Sequence, residues 1–166
     1  MKFLVYITIL STSYFSYAEE CFVSQSPPEL SSSKAEQLSF TPIDTSVNGD
    51  KRKLYHFKDG SLLIAQWEEC QIGIDLYYFS LDSSKDLESR IKNAQWLDSL
   101  FRDNRVSREQ IENTIKSNAN SNFLRIDQEH GAILELQWET LAGEEVGPAN
   151  IFNSSTTYRW FGPEEF

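Results

Sequence analysis

The sequence predicts an α+β fold, in which an antiparallel β-sheet of about six strands forms two hairpin-containing blocks and a helical pair between them packs on one face. Three observations predict it. Strand patterns, with alternation clearest in Gln71–Leu81 and Ala132–Thr140, fill Arg52 to Leu81 and recur in Phe123–Thr140 and in the β-branched and aromatic run Ser155–Phe161. Between these stretches the apolar residues recur at helical spacing. A glycine-bearing turn, Asp59-Gly60 in the first block and His130-Gly131 in the second, splits each block into antiparallel arms.

The chain opens with Lys2, an apolar run Phe3 to Leu10, and small residues at Ser16 and Ala18 before Glu19-Glu20. That pattern predicts a signal peptide over 1–18, because the run is too short to span a bilayer and the acidic pair cannot extend it. The chain is therefore expected to be exported, to a periplasm or the extracellular space. Residues 19–35 include the Ser- and Pro-rich stretch Ser24 to Lys34 and read as a flexible segment; 36–166 reads as a single α+β domain.

Within that domain, Glu36 to Ile43 predicts a short edge strand ended by Pro42, and Asp44 to Asp50 a loop. Strands are predicted over Arg52–Lys58, Ser61–Glu69 and Gln71–Leu81, the last with Ile72, Ile74, Leu76 and Tyr78 on one face. Leu87, Ile91, Ala94, Leu97 and Phe101 mark a helix from about Ser84 to Arg102, with Ser83 and Asp86 at capping-box spacing. Ser107 and Gln110 form a second such box, ahead of a helix with Ile111, Ile115 and Ala119 on its apolar side. The second block predicts strands over Phe123–Gln128, Ala132–Thr140 and Ser155–Phe161, with a loop Ala142–Ala149 that contains Glu144 and Glu145.

Asp59–Glu68 (DGSLLIAQWE) and His130–Glu139 (HGAILELQWE) align without gaps and agree at five of ten positions. In both, a glycine turn launches a strand that ends on Trp67 or Trp138, each expected in the core because a tryptophan on the apolar side of an alternating strand buries a large area. The echo is read either as a duplicated hairpin module or as convergence on a common strand pattern.

Cys21 and Cys70 are the two cysteines, and in an oxidising compartment they predict one disulfide, tying the mature N-terminus to a central strand and worth about 4 kcal/mol. Neither has a C-x-x-C partner or a nearby histidine at ligand spacing, so no metal site is expected. No nucleophile elbow, zincin, phosphate-loop or dinucleotide motif occurs, and the adjacent acids Glu68-Glu69 and Glu144-Glu145 point to opposite sides of the backbone rather than across a cleft. These patterns predict no cofactor and no enzyme activity.

The formal net charge is −10, and −11 once Lys2 leaves with the signal. An acidic surface repels phosphate backbones, which argues against nucleic acid, and steers basic proteins toward it. No later segment is apolar enough for stable membrane insertion. The function expected is that of an exported acidic binding protein, an inhibitor or immunity-type protein that neutralises a basic cell-wall hydrolase or toxin. The alternatives are a hydrolase or small-ligand binder whose carboxylates meet only in the fold, and a structural envelope component. Partner-contacting residues are sought where aromatics and acids adjoin: Glu144 and Glu145; Trp160, Phe161, Glu164, Glu165 and Phe166; and Trp96, which falls off the centre of its helix's apolar stripe.

Overall fold

In a computed structural model of the chain, residues 29–47, 50–67, 73–81, 86–100, 106–128, 131–141 and 152–162 are described. The expected signal peptide over 1–18, Cys21, Cys70, Glu144, Glu145, Glu164, Glu165 and Phe166 lie outside them. A one-turn helix α1 (Ser32–Ala35) precedes strands β1 (Ile43–Val47), β2 (Asp50–His56), β3 (Leu62–Trp67) and β4 (Gly73–Ser80). Helices α2 (Leu87–Asp98) and α3 (Arg108–Ser117) follow, then β5 (Phe123–Asp127), β6 (Ile133–Thr140) and β7 (Ser154–Phe161).

The seven strands form one antiparallel sheet in the order β1-β2-β3-β4-β7-β6-β5. The α+β architecture is as the sequence predicts, with seven strands rather than about six. The extra strand is β1, which occupies the stretch expected to be a loop. The expected edge strand before it is reduced to a single bridge, Leu38 to Phe57. Pro42 lacks a backbone donor, so regular pairing starts immediately after it. Residues 29–35, in the stretch read as a flexible segment, include α1, anchor through Ser31 N to the Leu100 carbonyl at 3.0 Å, and pack Leu30 on the core.

Alternation explains the layering. Leu63, Ala65, Trp67, Ile74, Leu76, Tyr78, Leu134, Leu136, Trp138 and Tyr158 all project to the helix-bearing side and are buried. Helix α2 lies across them. Trp96 meets Phe57 edge-on at 5.1 Å and Tyr78 at 4.7 Å, while the Tyr158 hydroxyl donates to Asp98 Oδ1 at 2.7 Å.

Asp86 caps α2: its carboxylate accepts from Ser89 N at 3.0 Å, and the helix begins at Leu87, while Ser83, the other member of the expected capping box, lies outside the described residues. Ser107 caps α3 as expected, accepting from Gln110 N at 3.1 Å. The buried side of α2 is more polar than the predicted stripe. Arg90, Asn93 and Asp98 are buried beside Ala94 and Leu97, whereas Leu87 and Ile91 are half-buried. Arg90 donates to the carbonyls of Ala119 and Ser121 and to Asn122 Oδ1, and its guanidinium lies 5.5 Å from the Trp138 ring centroid. One cation thereby satisfies carbonyls beyond the end of α3 and covers the core face of β6.

The echo in the sequence extends further in the backbone. Gly60 and Gly131 take φ of 87° and 82°, values that favour glycine. Phe57 N donates to the Ser61 carbonyl, and Gln128 N, 71 residues later, donates to the Ala132 carbonyl. His56 faces Leu62 as Asp127 faces Ile133, and Ala65 faces Leu76 as Leu136 faces Tyr158. The meanders β2-β3-β4 and β5-β6-β7 thus share a register and are joined antiparallel through their last strands. Trp67 and Trp138 are both buried, at 6% and 2% exposure, as expected of core residues.

Gly73 marks a close approach: a Cβ there would lie 2.9 Å from the Trp160 carbonyl oxygen. Replacing it with alanine (G73A) should destabilise the protein by about 1–3 kcal/mol in denaturant melts, because the β4–β7 ladder must shift. A second expectation concerns alkaline pH. Burial and then the Asp44 carboxylate raise the Tyr55 phenol from 10.0 to about 12. Between those values the unfolded chain has released this proton and the folded chain has not, so the contribution is full below pH 10 and is lost as pH rises through about 12. Tyr55→Phe should flatten that part of the stability profile, as read from melts across the interval.

Candidate functional site

Two surfaces carry the side chains able to act on another molecule. The first is the sheet face opposite the helices, on which no described helix packs. Its β1–β4 half presents Leu54, Leu62, Ile64, Tyr77 and Phe79, all half-buried, with Ile43 at 49% exposure on the edge strand. The registers put Ile43, Leu54, Ile64 and Tyr77 in one row across four strands. A parallel row runs from His56 through Leu62 to Phe79, extended at its ends by Phe40, stacked on His56 at 5.2 Å, and by Phe152, 5.7 Å from Phe79. A one-face-solvated antiparallel sheet normally carries polar residues there, so this apolar half departs from the ordinary pattern.

Beside the apolar rows runs a polar ladder, Arg52, Gln66, Asp75, Arg159, Glu135 and Arg125, one residue from each of six adjacent strands. Arg159 Nε donates to both Asp75 oxygens at 3.1 Å, and its Nη1 lies 3.8 Å from Glu135. The Tyr77 hydroxyl donates to Asp75 Oδ2 at 3.1 Å. Burial and then the Asp75 charge raise the Tyr77 phenol above its ordinary range, with Arg159 opposing.

The second surface is a groove of about 400 Å³ on the outer side of the helical pair. Its floor includes Trp96, and its walls bring Lys34 from α1, Lys92 from α2, and Arg108 and Lys116 from α3. Gln95 Nε2 donates to the Arg108 carbonyl at 3.1 Å, tying the end of α2 to the start of α3. The Lys34 ammonium lies 5.3 Å from the Trp96 ring centroid, and burial followed by the Arg108 charge lowers its pKa.

The residues singled out from the sequence do not form one site. Trp160 and Phe161 are successive on β7 and point to opposite faces: Trp160 packs beside Ile74 and Leu134 on the helix side, Phe161 beside Gly73 and Ile133 on the open side. Trp96 meets Tyr78, four residues along β4 from the Ile74 that faces Trp160, a separation of about 13 Å along the strand. The remaining partner-contact candidates lie outside the described residues. Sequence reasoning missed Lys34, Lys92 and Arg108, because the first fell in the expected tether and the others lie on solvent faces of helices. The apolar residues at alternate outward positions, Leu54, Leu62, Ile64 and Phe79, were a signal that could have revealed the open face.

Among the described residues no cluster of three or more His, Cys, Asp or Glu is placed to hold a metal ion, and no helix is long and apolar enough to cross a membrane. No family model, no curated protein and no solved structure matches the chain.

The Arg159 side chain is 38% exposed, so its ion pairs are screened. Arg159→Gln should change stability by less than about 1 kcal/mol. It should also raise the Tyr77 phenol further, because the charge opposing Asp75 is gone; an ultraviolet pH titration compared with Tyr77→Phe reads this.

Proposed function

We propose that the chain is an exported binding protein, of inhibitor or immunity type, that captures a basic protein such as a cell-wall hydrolase or toxin by surface contact. The observation that carries this reading is the open sheet face, where a half-buried aromatic and aliphatic patch adjoins a ladder of charged side chains. That composition, apolar anchors with a polar rim, is what protein interfaces use. A rigid seven-stranded sheet also presents such a patch without ordering cost at the moment of binding.

The choice of a basic partner rests on charge. The whole chain carries a net −10, and the described residues hold fourteen Asp and Glu against eleven Lys and Arg, a net of only −3. Most of the acidic excess therefore belongs to the remaining segments, which include Glu144, Glu145, Glu164 and Glu165. In this reading those acids steer the encounter and the sheet face supplies the contact.

Immobilised mature protein should retain a basic partner from envelope extracts of its source or of competitors, with retention falling steeply between about 50 mM and about 150 mM salt. The double variant Ile64→Asn with Tyr77→Ala should lose at least about tenfold in affinity while keeping its circular dichroism spectrum. Salt-insensitive capture would remove the steering argument, and undiminished capture by the variant would remove the sheet face as the contact.

A further inference from the structure

The described residues include eleven lysines and arginines, and most are answered by an acceptor. Lys53 meets Asp44, Lys58 the Glu36 carbonyl, Lys116 Glu112, Arg125 Asp127 and Glu135, and Arg159 Asp75. Arg90 is satisfied by carbonyls, and Lys51 and Arg52 have partners as well. Among the described residues, Lys34, Lys92 and Arg108 make neither an ion pair nor a side-chain hydrogen bond. All three line the same groove, with Trp96 on its floor.

The convergence runs against the molecule's own charge. In a chain of net −10, this groove sets Lys34, Lys92, Arg108 and Lys116 against Glu88 and Glu112. Ordinary solvated helix surfaces place opposite charges at i, i+4, as Glu112 and Lys116 do. Lys34 and Arg108 instead come from different helices and repel each other across the Trp96 end, an arrangement that fold stability does not require and that an anion would relieve. The volume, about 400 Å³, is that of a small-molecule site, and Ile91 and Trp96 give it an apolar side.

We propose that this groove binds a small organic oxyanion, a carboxylate or phosphoryl group on an apolar body, with the anionic group between Lys34 and Arg108 and the body against Trp96 and Ile91. Guanidinium and ammonium donors together suit either oxyanion, and the neighbouring Trp96 indole favours an aromatic or aliphatic body over a bare ion. Lys92 adds a further positive charge along the wall. The site is independent of the open sheet face: it lies across the helical layer and takes a ligand of opposite charge to the proposed protein partner.

The test is titration of the whole mature protein with benzoate, phenyl phosphate and inorganic phosphate, followed by calorimetry and by the Trp96 indole resonance. At least one of the two aromatic anions should bind, and more tightly than inorganic phosphate; which one does so separates a carboxylate from a phosphoryl ligand. The double variant Lys34→Gln with Arg108→Gln should weaken binding at least about tenfold, whereas Lys53→Gln should leave it unchanged. Because neither removed cation holds an ion pair, the double variant should lose no more stability in melts than the Lys34–Trp96 cation–π contact supplies, and Arg108→Gln alone should raise the Lys34 pKa. Absence of binding by either aromatic anion up to about 10 mM, or equal affinity in the double variant, would overturn the proposal. The Ile64→Asn and Tyr77→Ala variant should bind these anions normally, so failure here and failure of the protein-capture reading are separable.

Discussion

The eight antiparallel pairs between β4 and β7 make one sheet out of two meanders, and most of the remaining structure depends on that seam. Each meander alone is a three- or four-stranded curl with one apolar side. Helix α2 cannot pack on either one by itself, since its contacts straddle the junction: Trp96 on Phe57 and Tyr78, Arg90 on Trp138, Asp98 on Tyr158. The seam is fixed at both ends. Gly73 lets the backbones close at one end, while Ser80 and Ser154 exchange a buried hydroxyl hydrogen bond at 3.1 Å at the other, next to Asn153 bonded to the Leu81 carbonyl. Its partners are 74 to 88 residues apart in sequence, so its closure is nonlocal and costs more chain entropy than that of the hairpins and helices, whose contacts are near in the chain.

Polar groups under the helices specify how the layers dock. Buried charge costs stability unless satisfied, and here each buried charged side chain has named partners. Arg90 has three acceptors and a tryptophan face; Asp98 has the Tyr158 hydroxyl. Apolar contact alone would tolerate a helix sliding along a flat sheet, whereas these bonds have one geometry. Arg90 in particular joins the first turn of α2, the segment after α3 and strand β6, so the three can be correct only together. Of the apolar stripe, Ala94 and Leu97 sit fully buried at the centre of the contact, and the half-buried Leu87 and Ile91 pack at its edge.

The sheet was legible in the sequence because half-buried antiparallel strands write their burial as alternation, and the glycine turns at Gly60 and Gly131 separated the arms. The echo around Trp67 and Trp138 also proved structural, since both hairpins share register and turn bonding at an offset of 71 residues. Less legible was whatever local pattern did not determine. Strand β1, with Asp44, Thr45 and Ser46, has the composition of a loop and is a strand because Arg52, Lys53 and Leu54 offer it a free edge. Arg90 and Asp98 are charged residues that no local pattern gives a reason to bury, and tertiary partners hold them inside. The candidate surfaces were hardest to see. Trp160 and Phe161 looked like one aromatic patch in the chain and are divided by the pleat, while Lys34, Lys92 and Arg108 meet only because three helices converge.

Charge, finally, is not spread evenly over this molecule, and that bears on both proposed ligands. The structured body carries little net charge, with a cationic groove on its helical side and an ion-paired ladder on its open sheet side. The acidic excess lies chiefly in segments beyond the described elements, near the β3–β4 and β6–β7 connections and at the C-terminus. Those connections join neighbouring strands, and the path between equivalent paired residues, Ala65 to Leu76 in the first and Leu136 to Tyr158 in the second, is eleven residues longer in the second, which is the shift from a 71- to an 82-residue offset between the meanders. The extra length carries Glu144 and Glu145. In the proposed reading, steering acts over a Debye length of about 8 Å, so acids carried by that connection raise the rate of capture without having to touch the partner.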